Sequence, residues 1–135
     1  MSYLLDTDTL IHMINGRLPA NERVATKASA LLVVSTVSVM EVWVGFEKMP
    51  GQEGPERRFR EFMAAVKVAP FEAGDARAAA RVRAILEKSG LKIGAYDLQI
   101  AGQALERGLV LVTHNTKHFA RVPGLEVEDW MAHGK

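Results

Sequence analysis

Three carboxylates stand where carboxylates are uncommon. Asp6 ends the short apolar run Tyr3-Leu4-Leu5. An apolar run bounded by a polar break reads as a buried strand. That puts the Asp6 carboxylate at the strand's carboxyl end, where open α/β sheets bind ligands. Glu41 interrupts Val37 to Phe46, which is apolar nearly all round. It shares a stripe with Val37, Met40, Val44 and Gly45. A helix apolar on every side is usually buried. A buried carboxylate needs a cation, a donor network or a metal. Asp97 sits early in a helix spanning about Gly94 to Arg107, on the core-facing stripe of Ile100, Ala101 and Ala104. Each acid also has an ordinary structural role available. Asp6 or Thr7 can cap the next helix, Glu41 can close a capping box with Ser38, and Asp97 can face a helix dipole.

On the carboxyl edge of a parallel sheet the three acids can converge. Carboxylates sharing one pocket cannot all stay ionised without a cation. An all-oxygen set favours Mg²⁺ or Mn²⁺ over Zn²⁺. Such a cation in an open site polarises a phosphoryl oxygen and lowers the pKa of a bound water. The reaction class this chemistry points to is phosphodiester hydrolysis. Thr113 and Asn115 follow the last long strand, where a hydroxyl and an amide can orient a carboxylate or touch phosphate. The same two residue types also suit a plain turn.

The elements that must position these groups alternate. Tyr3 to Leu5 reads as a strand, Leu10 to Ile14 as a short helix stopped by Asn15-Gly16, and Pro19 to Leu32 as a second helix. Val33 to Val37 reads as a strand, followed by the apolar helix carrying Glu41. Pro50 to Pro55 is a loop, Glu56 to Val66 a helix, and Lys67 to Phe71 a short strand. Helices at Asp75–Ser89 and Gly94–Arg107 close on Gly90 and Gly108. Leu109 to Val112 is strongly strand-like, Thr113 to Arg121 is a polar loop, and Leu125 to Val127 a short last strand. Strand–helix alternation predicts an α/β fold with a mostly parallel central sheet flanked by helices, in one domain over residues 1–135.

Bulk composition narrows the classes. The chain has 135 residues, 48% apolar and 24% charged, with a formal net charge of +1 and a pI near 8.1. That composition is globular rather than disordered. The charge bias is too small to indicate a nucleic-acid partner by itself. There is no cysteine, so disulfides and thiolate metal sites are excluded, in keeping with a reducing cytoplasm. No basic and then apolar leader precedes Tyr3, so no signal peptide is expected. No apolar run is long enough to span a bilayer.

Five pieces in order resemble the PIN domain family and, within it, the VapC-type toxins of toxin–antitoxin modules. They are Leu4-Leu5-Asp6-Thr7-Asp8, Ser38-Val39-Met40-Glu41, Gly94 to Ala101, Val112 to Phe119, and the closing Val122 to Trp130. The resemblance covers essentially the whole chain. It implies a PIN-like fold and a Mg²⁺-dependent endoribonuclease, with Asp6, Glu41 and Asp97 as catalytic and metal-holding residues. It implies a structured RNA substrate, tRNA or ribosomal RNA. It also implies a homodimer silenced by a cognate antitoxin, acting in the cytoplasm. One departure matters. The family often carries a further acid where this chain has His118; an imidazole there can bind metal, contact phosphate or relay a proton as a supporting site residue, but it cannot replace that negative charge. Asp8 is the nearest compensating acid.

Two other classes fit parts of the sequence. Asp6-Thr7-Asp8-Thr9 also fits the nucleophile loop of haloacid-dehalogenase-like phosphatases, with Asp6 phosphorylated and Asp8 as general acid. Such an enzyme needs a downstream Lys and a late acidic pair, and Thr113-His114-Asn115 offers no pair of acids. A binding module with purely structural acids is the non-enzymatic alternative. His114 and His118 have metal-pair spacing only on a helix, and their segment reads as a loop with two ordinary polar histidines. His12 reads as a core or interface residue. The sets Arg57, Arg58, Arg60 and Arg77, Arg81, Arg83 suit either phosphate contact or a solvated helix face with pairs such as Arg83–Glu87. Trp43 and Phe46 read as core, with a dimer or antitoxin groove as the other use.

Overall fold

The computed structural model describes residues 1–16 and 29–131. Five strands form one parallel sheet: β1 Tyr3–Leu5, β2 Leu32–Ser35, β3 Lys67–Ala69, β4 Val110–Val112 and β5 Val127–Glu128. Their spatial order is β3-β2-β1-β4-β5. The helices are α1 Thr7–Ile14, α2 Thr36–Lys48, α3 Glu53–Ala65, α4 Ala73–Lys88, α5 Ala95–Arg107 and the short α6 Thr116–Phe119. The chain builds outward from β1 through β2 to β3, then crosses back to lay β4 and β5 on the other side of β1. The reversal makes the β1/β4 boundary the topological switch point, the place where open α/β sheets bind ligands.

Strand periodicity divides the core into two faces. Leu4, Val33 and Leu111 point to one face and pack with Val82, Leu86, Ile100, Ala101 and Ala104 of α4 and α5. On the other face, Tyr3, Leu5, Leu32, Val110 and Val112 surround the fully buried Trp130. Val34 points the same way, packing with Leu10, Met13, Val42 and Phe59. Because both faces are covered, β1, β2 and β4 are buried at every residue. That double burial is why they are continuous apolar runs rather than alternating ones.

Several boundaries differ from the sequence reading. The proposed helix Pro19–Leu32 lies mostly outside the described residues, and its end is a 3-10 turn, Ser29–Leu31, followed by β2 at Leu32. The strand expected over Val33–Val37 stops at Ser35. The Ser35 hydroxyl accepts from the Val37 amide at 3.0 Å, capping α2 three residues before the expected cap at Ser38. Apolar Val37 therefore belongs to a helix: local capping outweighed β propensity. α3 begins at Glu53, inside the stretch read as a loop, because Pro55 falls in its first turn where no amide donor is needed. The loop after β4 contains the one-turn helix α6. α5 closes as predicted on Gly108, whose φ of 63° is the left-handed conformation glycine adopts without strain.

α2 is also not buried on every side. Met40 and Val44 are 42% and 43% exposed. Its inner face packs on α1, α3, α5 and β2, while Met40 and Val44 remain open to solvent.

Candidate active site

Register brings the acids together. Leu5 pairs with Val34 on one side and Val112 on the other. The next residue on each strand path is therefore Asp6, Ser35 or Thr113, all at the carboxyl edge. The Asp6 amide continues the ladder by donating to the Val112 carbonyl at 3.0 Å. The chain then turns into α1, and the Asp6 carboxylate caps it by accepting from the Thr9 amide at 2.8 Å. Capping and pocket-facing were alternative readings of Asp6. In the structure it does both.

A cavity of about 220 Å³ opens at this edge, lined by Asp6, Thr7, Asp8, Glu41, Asp97, Asn115 and Phe119. One water occupies about 30 Å³ in the liquid, so the cavity has room for a cation with several waters. All four acids of the sequence reading, Asp8 included, line it, as does Asn115. Thr113 does not reach the cavity. It is fully buried behind Asp6, its side chain hydrogen-bonds the Asp6 carboxylate, and its hydroxyl accepts from the Asn115 amide at 3.0 Å. It holds the carboxylate that faces the pocket.

Glu41 is held differently from the expected capping box. Ser38 sits inside α2 rather than at its start, because the cap is Ser35. Glu41 Oε1 instead accepts from the Thr7 hydroxyl at 2.5 Å, and that hydroxyl lies 3.0 Å from the Ser38 hydroxyl. Thr7 thus ties α1 to α2 across the pocket. Glu41 is half-buried rather than buried, because it lines the open cavity. Thr7 and Phe119 were missed as pocket residues. A threonine directly after a strand-ending aspartate was the available signal for Thr7. Phe119 carried none, since its type marks it equally as core.

The electrostatics fit an incomplete charge balance. Burial pushes the Asp6 carboxyl up to about 6, against the lowering effect of hydrogen bonds from Thr113 and Thr9. Burial also raises Asp97, opposed by His118 and helped by the charge of Asp8. Two carboxyls lifted in one pocket mark a place where negative charge is under-compensated by the protein. The donor set is all oxygen and suits a hard divalent cation. Among the described residues, however, no group of three acids or histidines stands close enough to enclose a metal without adjustment.

His118 was expected in a loop, as a supporting residue of the site. It lies on α6, half-buried, with Nε2 3.4 Å from Asp97 Oδ2. His114 points elsewhere, to Asp129 at 3.1 Å, so the two form no metal pair. The arginine sets serve structure where the contacts are defined. Arg58 Nε donates to the Ile14 carbonyl at 2.6 Å, Arg60 pairs with Glu56 and covers the Trp43 ring, and Arg83 pairs with Glu87 at 2.8 Å.

The sequence matches the PIN domain family over residues 3–125. The chain belongs to the PIN domain family. Similar proteins include the tRNA(fMet)-specific endonuclease VapC of Shigella flexneri, 35% identical over 96% of this chain and 98% of that protein. The Salmonella typhimurium protein of the same name is 32% identical over 96% and 98%. Among solved structures, DNA-bound VapBC from Salmonella typhimurium superimposes with a TM-score of 0.85 at 35% identity, covering 96% of this chain and 98% of that one. VapBC2 from Rickettsia felis, bound to a promoter DNA fragment, gives 0.88 at 28% identity, covering 96% and 99%. The resemblance to VapC toxins therefore extends from motifs to fold. The family match is to the PIN domain rather than to the phosphatase class weighed as the alternative.

Proposed function

We propose that this chain is a Mg²⁺-dependent endoribonuclease, the toxin of a toxin–antitoxin pair, that hydrolyses phosphodiester bonds in tRNA. The observation that carries the reading is the cavity at the switch point, where Asp6, Asp8, Glu41 and Asp97 line one wall system on a PIN fold. The names of its relatives support RNA as substrate class, and the names of two of them support tRNA.

Asp6, Glu41 and Asp97 would hold the cation through carboxylate oxygens, with Asp8 and Asn115 beside them. When bound, the cation would polarise a phosphoryl oxygen and supply a hydroxide-like water. The protein's own contribution is placement. Thr113 and the Thr9 amide fix Asp6 from behind, and Thr7 fixes Glu41, so both carboxylates face the cavity without rotamer search. Asp6 must give up its proton to take part; burial raises its pKa to about 6 in the metal-free protein, and a bound cation would favour the ionised form.

An antitoxin has a place to bind. A shallow apolar groove lined by Ile11, Ile14, Val42, Phe46 and Met49 runs beside Glu41. Met49 is 66% exposed and Ile11 36%. A helix-in-groove contact fits such a surface, and a solved relative from Klebsiella pneumoniae is a toxin–antitoxin complex. A homodimer is part of the same proposal. Among the described residues no helix is long and apolar enough to cross a membrane.

The test is cleavage of purified tRNA and ribosomal RNA with added Mg²⁺, with EDTA as control. Folded Asp6→Asn and Glu41→Gln variants should each lose on the order of 100-fold or more in rate. Metal-dependent cuts that persist in both variants would remove the acidic cluster from the chemistry.

A further inference from the structure

His118 lies where it could ligate a metal through Nε2, or donate a proton from it. The contacts on its other ring nitrogen decide between these. Arg121 Nη2 lies 2.9 Å from His118 Nδ1. A guanidinium only donates, so Nδ1 must be the accepting, unprotonated nitrogen. The ring proton is then on Nε2. Were the tautomer reversed, two N–H groups would face each other at 2.9 Å.

Arg121 is itself fixed. Its Nε donates to the His118 carbonyl at 3.1 Å, and its Nη2 donates to the Lys92 carbonyl at 2.8 Å. It is therefore tied to α6 on one side and to the segment before α5 on the other. The imidazole is held edge-on against Phe119, with ring centroids 5.2 Å apart. His118 Nε2 is buried from solvent and makes no well-formed hydrogen bond. The acid facing it is Asp97, whose Oδ2 is 3.4 Å away. A buried N–H with no other acceptor tightens onto the available carboxylate.

We propose that Arg121 locks His118 as an Nε2–H donor to Asp97, which makes His118 a positioning residue for that carboxylate and not a metal ligand. One Asp97 oxygen is then engaged by His118 and the other is left for the cavity. The inference rests on the proposed metal role of Asp97 only for its consequence. The lock itself is a statement about one ring proton.

Two measurements on the full chain separate these. Long-range ¹H–¹⁵N correlation of histidine-labelled protein reads which ring nitrogen carries the proton. The expected wild-type result is a single Nε2–H tautomer for His118, unchanged by saturating Mg²⁺, and a mixture of tautomers in folded Arg121→Ala. A wild-type Nδ1–H form, or loss of the Nε2 proton when Mg²⁺ is added, overturns the proposal. Calorimetric Mg²⁺ titration reads the consequence. His118→Ala and Arg121→Ala should each weaken Mg²⁺ binding roughly 10-fold, the usual scale for a group that orients a metal ligand. His118→Gln, whose amide can donate to Asp97, should restore most of it. Arg121→Ala should add nothing in the His118→Ala background, since it acts through His118. Additive losses there would overturn the lock. Absence of Mg²⁺ binding by the wild type would instead defeat the metal reading of the acidic cluster, while the ring-proton spectrum would still decide the lock.

Discussion

Removing the charge of Asp6 should make the metal-free protein more stable. Asp6 is 4% exposed, and its pKa rises from 3.8 to about 6 on folding. A carboxyl raised in the fold binds its proton more tightly when native. Wild-type stability from this group is therefore greatest below 3.8 and is lost as pH rises through 6. The gap of about two pH units, at about 1.4 kcal/mol each, is a penalty of about 3 kcal/mol above that window. Asp6→Asn removes it. Asn caps a helix as well as Asp, so the bond from the Thr9 amide survives. The lost interaction of a carboxylate with the α1 dipole costs up to about 1 kcal/mol. The net expectation at pH 7.5 is a gain of about 2 kcal/mol, or a rise in Tm on the order of 5–10 °C. The assay is thermal or urea unfolding of EDTA-treated protein, wild type against variant, from pH 3.5 to 8. The difference should be near zero at the acid end and grow between about 4 and 6. Saturating Mg²⁺ should reverse the order, because a ligand that binds only the native wild type stabilises only it. A variant less stable than wild type at pH 7.5 without metal, or a difference that does not change with pH, would refute the account.

Other outcomes follow from the same contacts. Arg107 grips buried Asp75 through both carboxylate oxygens, at 3.1 and 2.9 Å. Burial pushes Asp75 up, but Arg107, the Glu72 amide and Gln103 outweigh it and hold its pKa below 3.8. Its contribution is present above 3.8 and is lost as pH falls through the lowered value, a window separate from that of Asp6. Arg107→Ala strands the carboxylate and should cost about 3 kcal/mol at neutral pH in urea unfolding. Gly102 lets α5 lie against α4 so closely that a Cβ would stand 2.6 Å from the Ala79 backbone. Gly102→Ala should therefore cost about 1–3 kcal/mol despite its better helix propensity, measured as a lower urea midpoint. Phe59 is fully buried among Trp43, Phe46 and Met63, and Phe59→Ala should cost about 3–5 kcal/mol by the same measure.

What the sequence determined by itself was the identity of the parts. Tyr3-Leu4-Leu5 and Val110-Leu111-Val112 are apolar throughout because both faces of their sheet are covered, so they were legible as buried strands. Asp6, Glu41 and Asp97 were legible as candidates because a carboxylate on an apolar stripe demands a reason. Motif order carried the family. The partners of those acids were not legible, because each is set by a contact across the fold. Thr7 reaches Glu41 only because α1 and α2 leave adjacent strands at the same edge, and Thr113 backs Asp6 only through strand register. The capping box at Ser38 was locally sound and failed because Ser35 offered an earlier cap. The exposure of Met40 and Val44 depends on which neighbours α2 has, and periodicity is silent on that. His118 shows the division most clearly. Its type and position were visible in the chain, but which ring nitrogen holds the proton depends on Arg121, and only folding brings that guanidinium to Nδ1.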